Sequence, residues 1–500
     1  MKKIDYLIAF ILFLTGLLTR LNFVEKIFSQ WDGPLYAIGV IRYSFEQTTP
    51  TFPGYPFYIA LGKFFYLFLH DPQRSILAVS IFGSAAGAVV IYLIGWKMFH
   101  KLAGIAGAVI FLTGSTFYYF SLTTYAYILT PITTTILAFV VYRIFVKRNQ
   151  EGLFLGTALG ISVGTRPQEA PQIILLFILG FLFLKSSEKI KSIFSFSIVT
   201  LLWFIPVINA VGLHEYFKLF IGLKQYNLHA PIIQNIDLIT KGFLLSFGLS
   251  SFFLFYYIYK FRKIWKKQIN KNLKIIVFFA VWIVPGFLIN LLLRSDHAGY
   301  QMTYISGFLL VISYAIWKAT QKNKLLYLII VVTIAVFNLY WFFYDRDPNF
   351  VKPYRPTSFH YSDIRKNDLK TGSKIHFIEN NFDSKKTVVI ALPVLWMPYA
   401  YYLKYYQVTS LGALDIKNEK STNLEQDVKN WHITKQIKSD LTFSIPHGIT
   451  SIVFPDDNAY SWIKNYPYKI YHLPGNSTIT SISVSENNKI KYSYQSLEIK

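Results

Sequence analysis

Between Tyr6 and Tyr344 apolar stretches close to the length of a membrane span return repeatedly, each closed by a charged or breaker-rich junction. A hydrocarbon core of about 30 Å is crossed by about twenty apolar residues in helix, because only a helix or a closed barrel satisfies the backbone without water. By that measure spans are expected near 5–22, 75–96, 102–121, 124–146, 152–165, 171–184, 192–211, 240–260, 275–293, 301–317 and 325–344. The pair 152–165 and 171–184 is short, which calls for support from neighbouring helices or a water-filled dip beside them. Composition agrees: of 500 residues 53% are hydrophobic and 15% charged, too apolar for an ordinary soluble chain.

The formal charge of +24 would suggest a nucleic-acid partner on a soluble chain. On a membrane chain, basic residues kept in cytoplasmic loops give the same excess, so no nucleic acid is expected. The chain has no cysteine, which excludes disulfides, thiolate metal sites and cysteine nucleophiles. The first apolar run follows Lys2 and Lys3 as a signal peptide would, but no small-residue cleavage site follows it, so it reads as a retained helix.

Basic residues mark alternate junctions: Lys2-Lys3, Lys97 with Lys101, Arg143 to Arg148, Lys185 to Lys191, Lys260 to Lys274, and Lys318 to Lys324. All fall on one side if Tyr55 to Leu69 lies at the interface without crossing. The expected protein is therefore a multi-pass plasma-membrane protein with a cytoplasmic N-terminus. Residues 22–74 form a large outer loop carrying amphipathic interfacial helices. After Tyr344 the composition turns polar, and 345–500 is expected to be an extracytoplasmic soluble α/β domain. Its strands are expected at Thr387–Ile390, Tyr406–Thr409, Ser451–Phe454 and Thr478–Ile482, with helices near 361–372 and 395–405.

The outer loop concentrates polar and breaker residues: Gln30-Trp31-Asp32-Gly33-Pro34, Arg42, Glu46, and Pro50 to Pro56. Loops of this length are commonly functional. Helical spacing of Leu35, Ile38, Ile41 and Phe45 predicts an amphipathic helix over Gly33 to Glu46, with Arg42 and Glu46 paired at i, i+4. Asp32 suits its N-cap. Such a fixed carboxylate beside Trp31 could equally act as general base toward a hydroxyl acceptor. A second polar knot, Gly164-Thr165-Arg166-Pro167-Gln168-Glu169, separates the two short spans. Arg166 is either an interfacial anchor or a planar fork for an anionic headgroup. A third cluster holds Arg294, Asp296, His297 and Tyr300. It lacks metal-ligand spacing, so a plain polar turn comes first and substrate contact before metal. No Walker loop, H-E-x-x-H, G-x-S-x-G or dinucleotide turn is present, and neither cofactor nor divalent metal is indicated.

A first helix, then W-D-G-P-L-Y at 31–36 and F-P-G-Y-P-F-Y-I-A-L-G-K at 52–63, resembles the GT-C glycosyltransferases. The likeness is to the polyprenyl-phosphate-sugar-dependent branch that includes protein O-mannosyltransferase-like and aminoarabinose-transferase-like enzymes. G-T-R-P-Q-E at 164–169, L-W-F-I-P at 202–206, G-L-H-E-Y at 212–216, W-I-V-P at 282–285 and H-A-G-Y-Q at 297–301 extend it. Y-Y-L-K-Y-Y-Q-V at 401–408 resembles the outer domain of such a relative. The resemblance implies a GT-C-like fold of about eleven transmembrane helices, and transfer of a monosaccharide, mannose-like hexose favoured, from a polyprenyl-phosphate donor.

It assigns Asp32 as the base and Arg166, Arg42 and Arg294 as donor-phosphate contacts. Trp31, Tyr55, Gln168, Glu169, His297 and Tyr300 follow as substrate contacts. Relatives often carry a second acid after the first, where Gly33 stands here, and a Glu after the third helix, where Tyr125-Ala126-Tyr127 stands. Glu169 and Glu46 are the available substitutes. The partners implied are the lipid-linked sugar, membrane lipids and a protein, glycan or lipid acceptor. The competing classes are a lipid-linked sugar transporter or flippase and a non-catalytic GT-C scaffold. A flippase would be expected to show inverted repeats, and none is seen.

Overall fold

The computed structural model describes residues 3–29, 31–44, 49–226, 232–261, 265–293, 298–344, 359–391, 396–415, 420–427, 432–438, 442–445, 447–461, 463, 466–485, 489–493 and 496–499. The helices are, in chain order, α1 (Lys3–Leu21), α2 (Asp32–Ile41), α3 (Pro56–Leu69), α4 (Pro72–Met98), α5 (Lys101–Thr113), α6 (Ser115–Leu122), α7 (Thr130–Phe145), α8 (Gly152–Thr165) and α9 (Ala170–Leu182). They continue as α10 (Ser186–Val211), α11 (Leu213–Tyr226), α12 (Ile232–Phe247), α13 (Ser251–Phe261), α14 (Trp265–Leu292), α15 (Met302–Thr320), α16 (Lys324–Phe343), α17 (Tyr361–Asn381) and α18 (Trp396–Tyr402). Two compact units result: Met1–Val24 with Phe52–Ser362, and Glu25–Thr51 with Asp363–Lys500.

The first unit is a polytopic helical membrane domain. Among the described residues eight helices are long and apolar enough to span, and a ninth candidate is the bent pair α5–α6. The expected short pair appears as α8 and as Pro167–Leu182, so every stretch singled out by hydropathy is helical. Lys101 Nζ meets Asp5 Oδ1 at 2.6 Å, which puts the starts of α1 and α5 at one end of the unit.

The expected span 102–121 is instead broken by 57° between α5 and α6. Gly114 takes an extended conformation there, and a Cβ on it would lie 2.2 Å from the Ser246 carbonyl oxygen, so only glycine admits α12 this closely. A break strands the last carbonyls of α5. Arg20, buried at the end of α1, donates from Nη2 to the Leu112 carbonyl at 2.5 Å and from Nε to Ser121 Oγ at 3.2 Å. Its guanidinium lies 4.0 Å from the Tyr118 ring centroid.

The short α8 packs closely along α10. Gly152, Gly156, Gly160 and Gly164 stand at every fourth residue, on one face. A Cβ at Gly152 or Gly156 would come within 1.9 Å of the Glu188 or Ser192 carbonyl oxygen. Backbone contact of this kind is how helices associate where lipid removes the hydrophobic drive.

The second unit is α/β. Its strands are β1 (Thr387–Ala391), β2 (Gln407–Asp415), β3 (Lys420–Asp427), β4 (His432–Lys438), β5 (Thr442–Ser444), β6 (Ser451–Phe454), β7 (Tyr468–Leu473), β8 (Ser477–Ser483), β9 (Lys489–Ser493) and β10 (Ser496–Ile499). One sheet runs β4-β3-β2-β1-β6-β8-β7, the other β10-β9-β5. The pairs β1–β2 and β1–β6 are parallel, and β1 is buried at all five residues, as a central parallel strand requires. All four strands expected from alternation are present.

The core of this unit joins Val389, Trp396, Val408 and Ile479 to Leu35 and Ile38 of α2. The start of the outer loop therefore belongs to the α/β unit, which hydropathy alone does not reveal. The expected amphipathic surface helix is corrected accordingly: α2 is buried on every face from Gly33 to Val40 and stops at Ile41. Arg42 is extended, so the helical spacing toward Glu46 is lost, and Glu46 itself lies outside the described residues. Asp32 opens the first turn instead of capping it, with Trp31 at the cap position and no side-chain cap bond. A carboxylate in that turn still suits the helix dipole.

Candidate active site in the membrane unit

Proline at 167 disfavours the helical conformation at the residue before it. Arg166 accordingly leaves α8 at φ −146°, and Pro167–Glu169 form a 3₁₀ turn into α9. The turn brings Glu169 back under Arg166, and the two form an ion pair with side chains only 3% and 1% exposed. An isolated buried guanidinium would be costly, and this pairing offsets much of the cost.

Two further 3₁₀ turns converge on the pair. Ala126–Leu129 supplies Tyr127, whose ring centroid is 4.2 Å from the Arg166 guanidinium carbon. Ala298–Gln301 supplies Tyr300 at 5.6 Å. Gly299 makes room for this meeting, since a Cβ there would lie 2.6 Å from the Tyr127 ring. Tyr55, left-handed at φ 46° before Pro56, accepts from Gln168 Nε2 at 2.7 Å. The hydroxyls of Thr130 and Thr303 lie beside the Glu169 carboxylate.

The guanidinium is nonetheless not saturated. Only Nη1 reaches Glu169, and Nε and Nη2 are buried without a hydrogen-bond acceptor among the described residues. Nearby on the same segment, Gln168 Oε1 and Gln172 Oε1 are buried acceptors without a donor. Unmade hydrogen bonds of this kind cost about 1–3 kcal/mol each. These two donors and two acceptors are thus left without a partner among the described residues.

Of the residues expected at a site, Arg166, Gln168, Glu169, Tyr55 and Tyr300 come together here. Trp31, Asp32 and Arg42 belong to the second unit, where the Trp31 ring lies 5.8 Å from that of Trp396. Arg294 and His297 lie outside the described residues. Trp396 and Tyr399 are core residues of the α/β unit. Tyr127 and Gln172 were not singled out from the sequence. The pattern Tyr-Ala-Tyr marks only the place of a missing acid, and the one sequence signal for Gln172 is a polar side chain inside an apolar run.

Neither a protein-family model nor a curated protein sequence matches the chain. Among solved structures, the crystal structure of ArnT from Cupriavidus metallidurans bound to undecaprenyl phosphate is similar, with a TM-score of 0.58 at 10% identity over 96% of this chain and 97% of that one. The apo state of the same protein gives 0.57 at 11% identity over the same shares. The chain therefore has, along nearly its whole length, the GT-C-like membrane fold with a C-terminal α/β region that it shares with ArnT.

Proposed function

We propose that this protein is an integral-membrane glycosyltransferase. It takes a monosaccharide, a mannose-like hexose favoured, from a polyprenyl-phosphate donor and passes it with inversion to a hydroxyl on a protein, glycan or lipid. Arg166 carries the reading. It is wholly buried, held by Glu169 and Tyr127, and its Nε and Nη2 have no acceptor among the described residues. A phosphate oxygen pair matches that planar fork. The fold shared with ArnT, crystallised with undecaprenyl phosphate, supports a polyprenyl carrier as the source of the phosphate.

In this mechanism Asp32 removes the acceptor proton as the hydroxyl oxygen attacks the anomeric carbon. The bond from that carbon to the phosphate oxygen breaks, and the electron pair leaves with the phosphate. Such a leaving group needs no proton, so one carboxylate suffices, unlike in the two-carboxylate hydrolases. Arg166 stabilises the charge that grows on the phosphate, with Arg42 and Arg294 as further cationic contributors. Trp31, Tyr55, Gln168, His297 and Tyr300 complete the substrate contacts, and Glu169 joins them through Arg166, which it holds in place. The basic junctions support a cytoplasmic N-terminus in the plasma membrane and an α/β unit outside.

The test uses purified protein in lipid nanodiscs, a panel of radiolabelled polyprenyl-phosphate monosaccharides and a membrane extract as acceptor source. Wild type is expected to consume one donor, and Asp32→Asn to slow transfer by about 10²-fold or more. Undiminished transfer in Asp32→Asn removes the base assignment. Every donor left intact and unbound by folded protein overturns the transferase reading in favour of a transporter or a non-catalytic scaffold.

A further inference from the structure

The unmatched groups around Arg166 are of two kinds. Nε and Nη2 of Arg166 ask for an acceptor, whereas Gln168 Oε1 and Gln172 Oε1 ask for donors. A deprotonated phosphodiester satisfies the first pair and offers nothing to the second. A ligand that satisfies both carries hydroxyl groups next to its phosphate.

Gln172 sits one turn beyond Glu169 in the otherwise apolar α9 and is 5% exposed. Across from it, Gly286 of α14 lets the Gln172 amide and the Tyr304 ring lie close against its backbone. A Cβ at Gly286 would lie 3.1 Å from Gln172 Oε1 and 2.7 Å from the Tyr304 ring. Tyr304 is one turn beyond Tyr300, which already faces Arg166, and its buried hydroxyl lies beside Asn290. Asn290 in turn donates from Nδ2 to the Tyr300 carbonyl at 3.0 Å. Amide and hydroxyl groups thus continue from the Arg166 turn along both 166–172 and 300–304.

Resting on the glycosyltransferase reading above, we infer that Gln172 and Tyr304, brought together against Gly286, form the subsite that binds the hydroxyl groups of the donor's sugar and selects an uncharged sugar. Amides and hydroxyls pair with sugar hydroxyls at no electrostatic cost. A sugar bearing an ammonium or a carboxylate would need a buried counter-charge, and Glu169 is already committed to Arg166.

The test is equilibrium binding in nanodiscs of undecaprenyl phosphate and its mannosyl, glucosyl, galactosyl and glucosaminyl derivatives. Wild type is expected to bind one of the three neutral forms about tenfold more tightly than the bare lipid phosphate. Gln172→Met, similar in volume, should lose that preference while holding bare undecaprenyl phosphate within about twofold of wild type. Gly286→Ala, whose methyl would push the Tyr304 ring away from Gln172, should do the same, and Arg166→Met should weaken all five lipids. Gln172→Met acting equally on bare and glycosylated lipid, or on neither, overturns the subsite. Tighter binding of the glucosaminyl form overturns the uncharged class. Wild type that binds bare lipid phosphate without preferring a sugar overturns this inference alone, whereas wild type that binds none of the five overturns the donor reading too.

Discussion

Arg20 and Leu112 are 92 residues apart in the chain, yet the guanidinium of one closes the helix end of the other, at 2.5 Å from Nη2 to the carbonyl oxygen. The cation also suits the negative end of α5. Replacing it with Met leaves the Leu112 carbonyl unpaired at the break, with an expected loss of about 1–3 kcal/mol of stability. Thermal unfolding in detergent measures it, and a melting temperature equal to wild type would show that the break holds without Arg20.

Breaking the Arg166–Glu169 pair from one side should cost far more than removing both partners. Glu169→Gln strands a buried cation and is expected to destabilise by about 3–5 kcal/mol. The double change Arg166→Met with Glu169→Leu is expected to recover most of that stability while abolishing donor binding. A double-mutant cycle that joins unfolding to lipid-phosphate binding separates the two roles of the pair.

The face of α8 turned to α10 tolerates no side chain. Gly156→Ala drives a methyl into the Ser192 carbonyl and is expected to cost about 1–3 kcal/mol or more. Leu153→Ala, on the exposed side of the same helix, should stay within about 0.5 kcal/mol of wild type. Comparable losses at both positions would mean that the helix pair does not set the stability of this region.

Asp368 on α17 accepts backbone N–H bonds from Lys26 at 3.0 Å and Ile27 at 2.9 Å. Burial pushes its carboxyl up to about 6, against the opposing pull of those two amides and of the Lys26 and Arg365 charges. The folded unit therefore holds this proton more tightly than the unfolded chain. Its stabilising contribution is complete below about pH 4, near the ordinary Asp value, and is lost as the pH rises through about 6. Wild type should accordingly show a fall in melting temperature across that window that Asp368→Asn lacks. Parallel pH profiles for the two proteins would refute the assignment.

The helices of the membrane unit were legible because lipid imposes a length and a composition on each one. The α5–α6 bend was not, since it depends on Ser246 and Arg20, remote residues that no local pattern joins to Gly114. The G-T-R-P-Q-E segment could be read as a polar interruption. Its partners Tyr127 and Tyr300 could not, because 3₁₀ turns far apart in sequence bring them to Arg166. Reading Leu35 and Ile38 as an interfacial stripe was a periodicity argument without knowledge of the partner surface. Here that surface is the interior of a sheet domain whose strands lie more than three hundred residues on.

The contribution of α2 to the α/β core also sets an order of events during synthesis. Ile27 and Asp368, which share a hydrogen bond, are 341 residues apart. At typical translation rates the ribosome needs on the order of 20–70 s to make what lies between them. Throughout that interval Leu35 and Ile38 have no core to enter, while the helices made in between are delivered to the bilayer. The α/β unit is thus completed only from both ends of a nearly finished polypeptide. A nascent chain arrested before Asp363 would carry α2 as an apolar segment still waiting for its sheet.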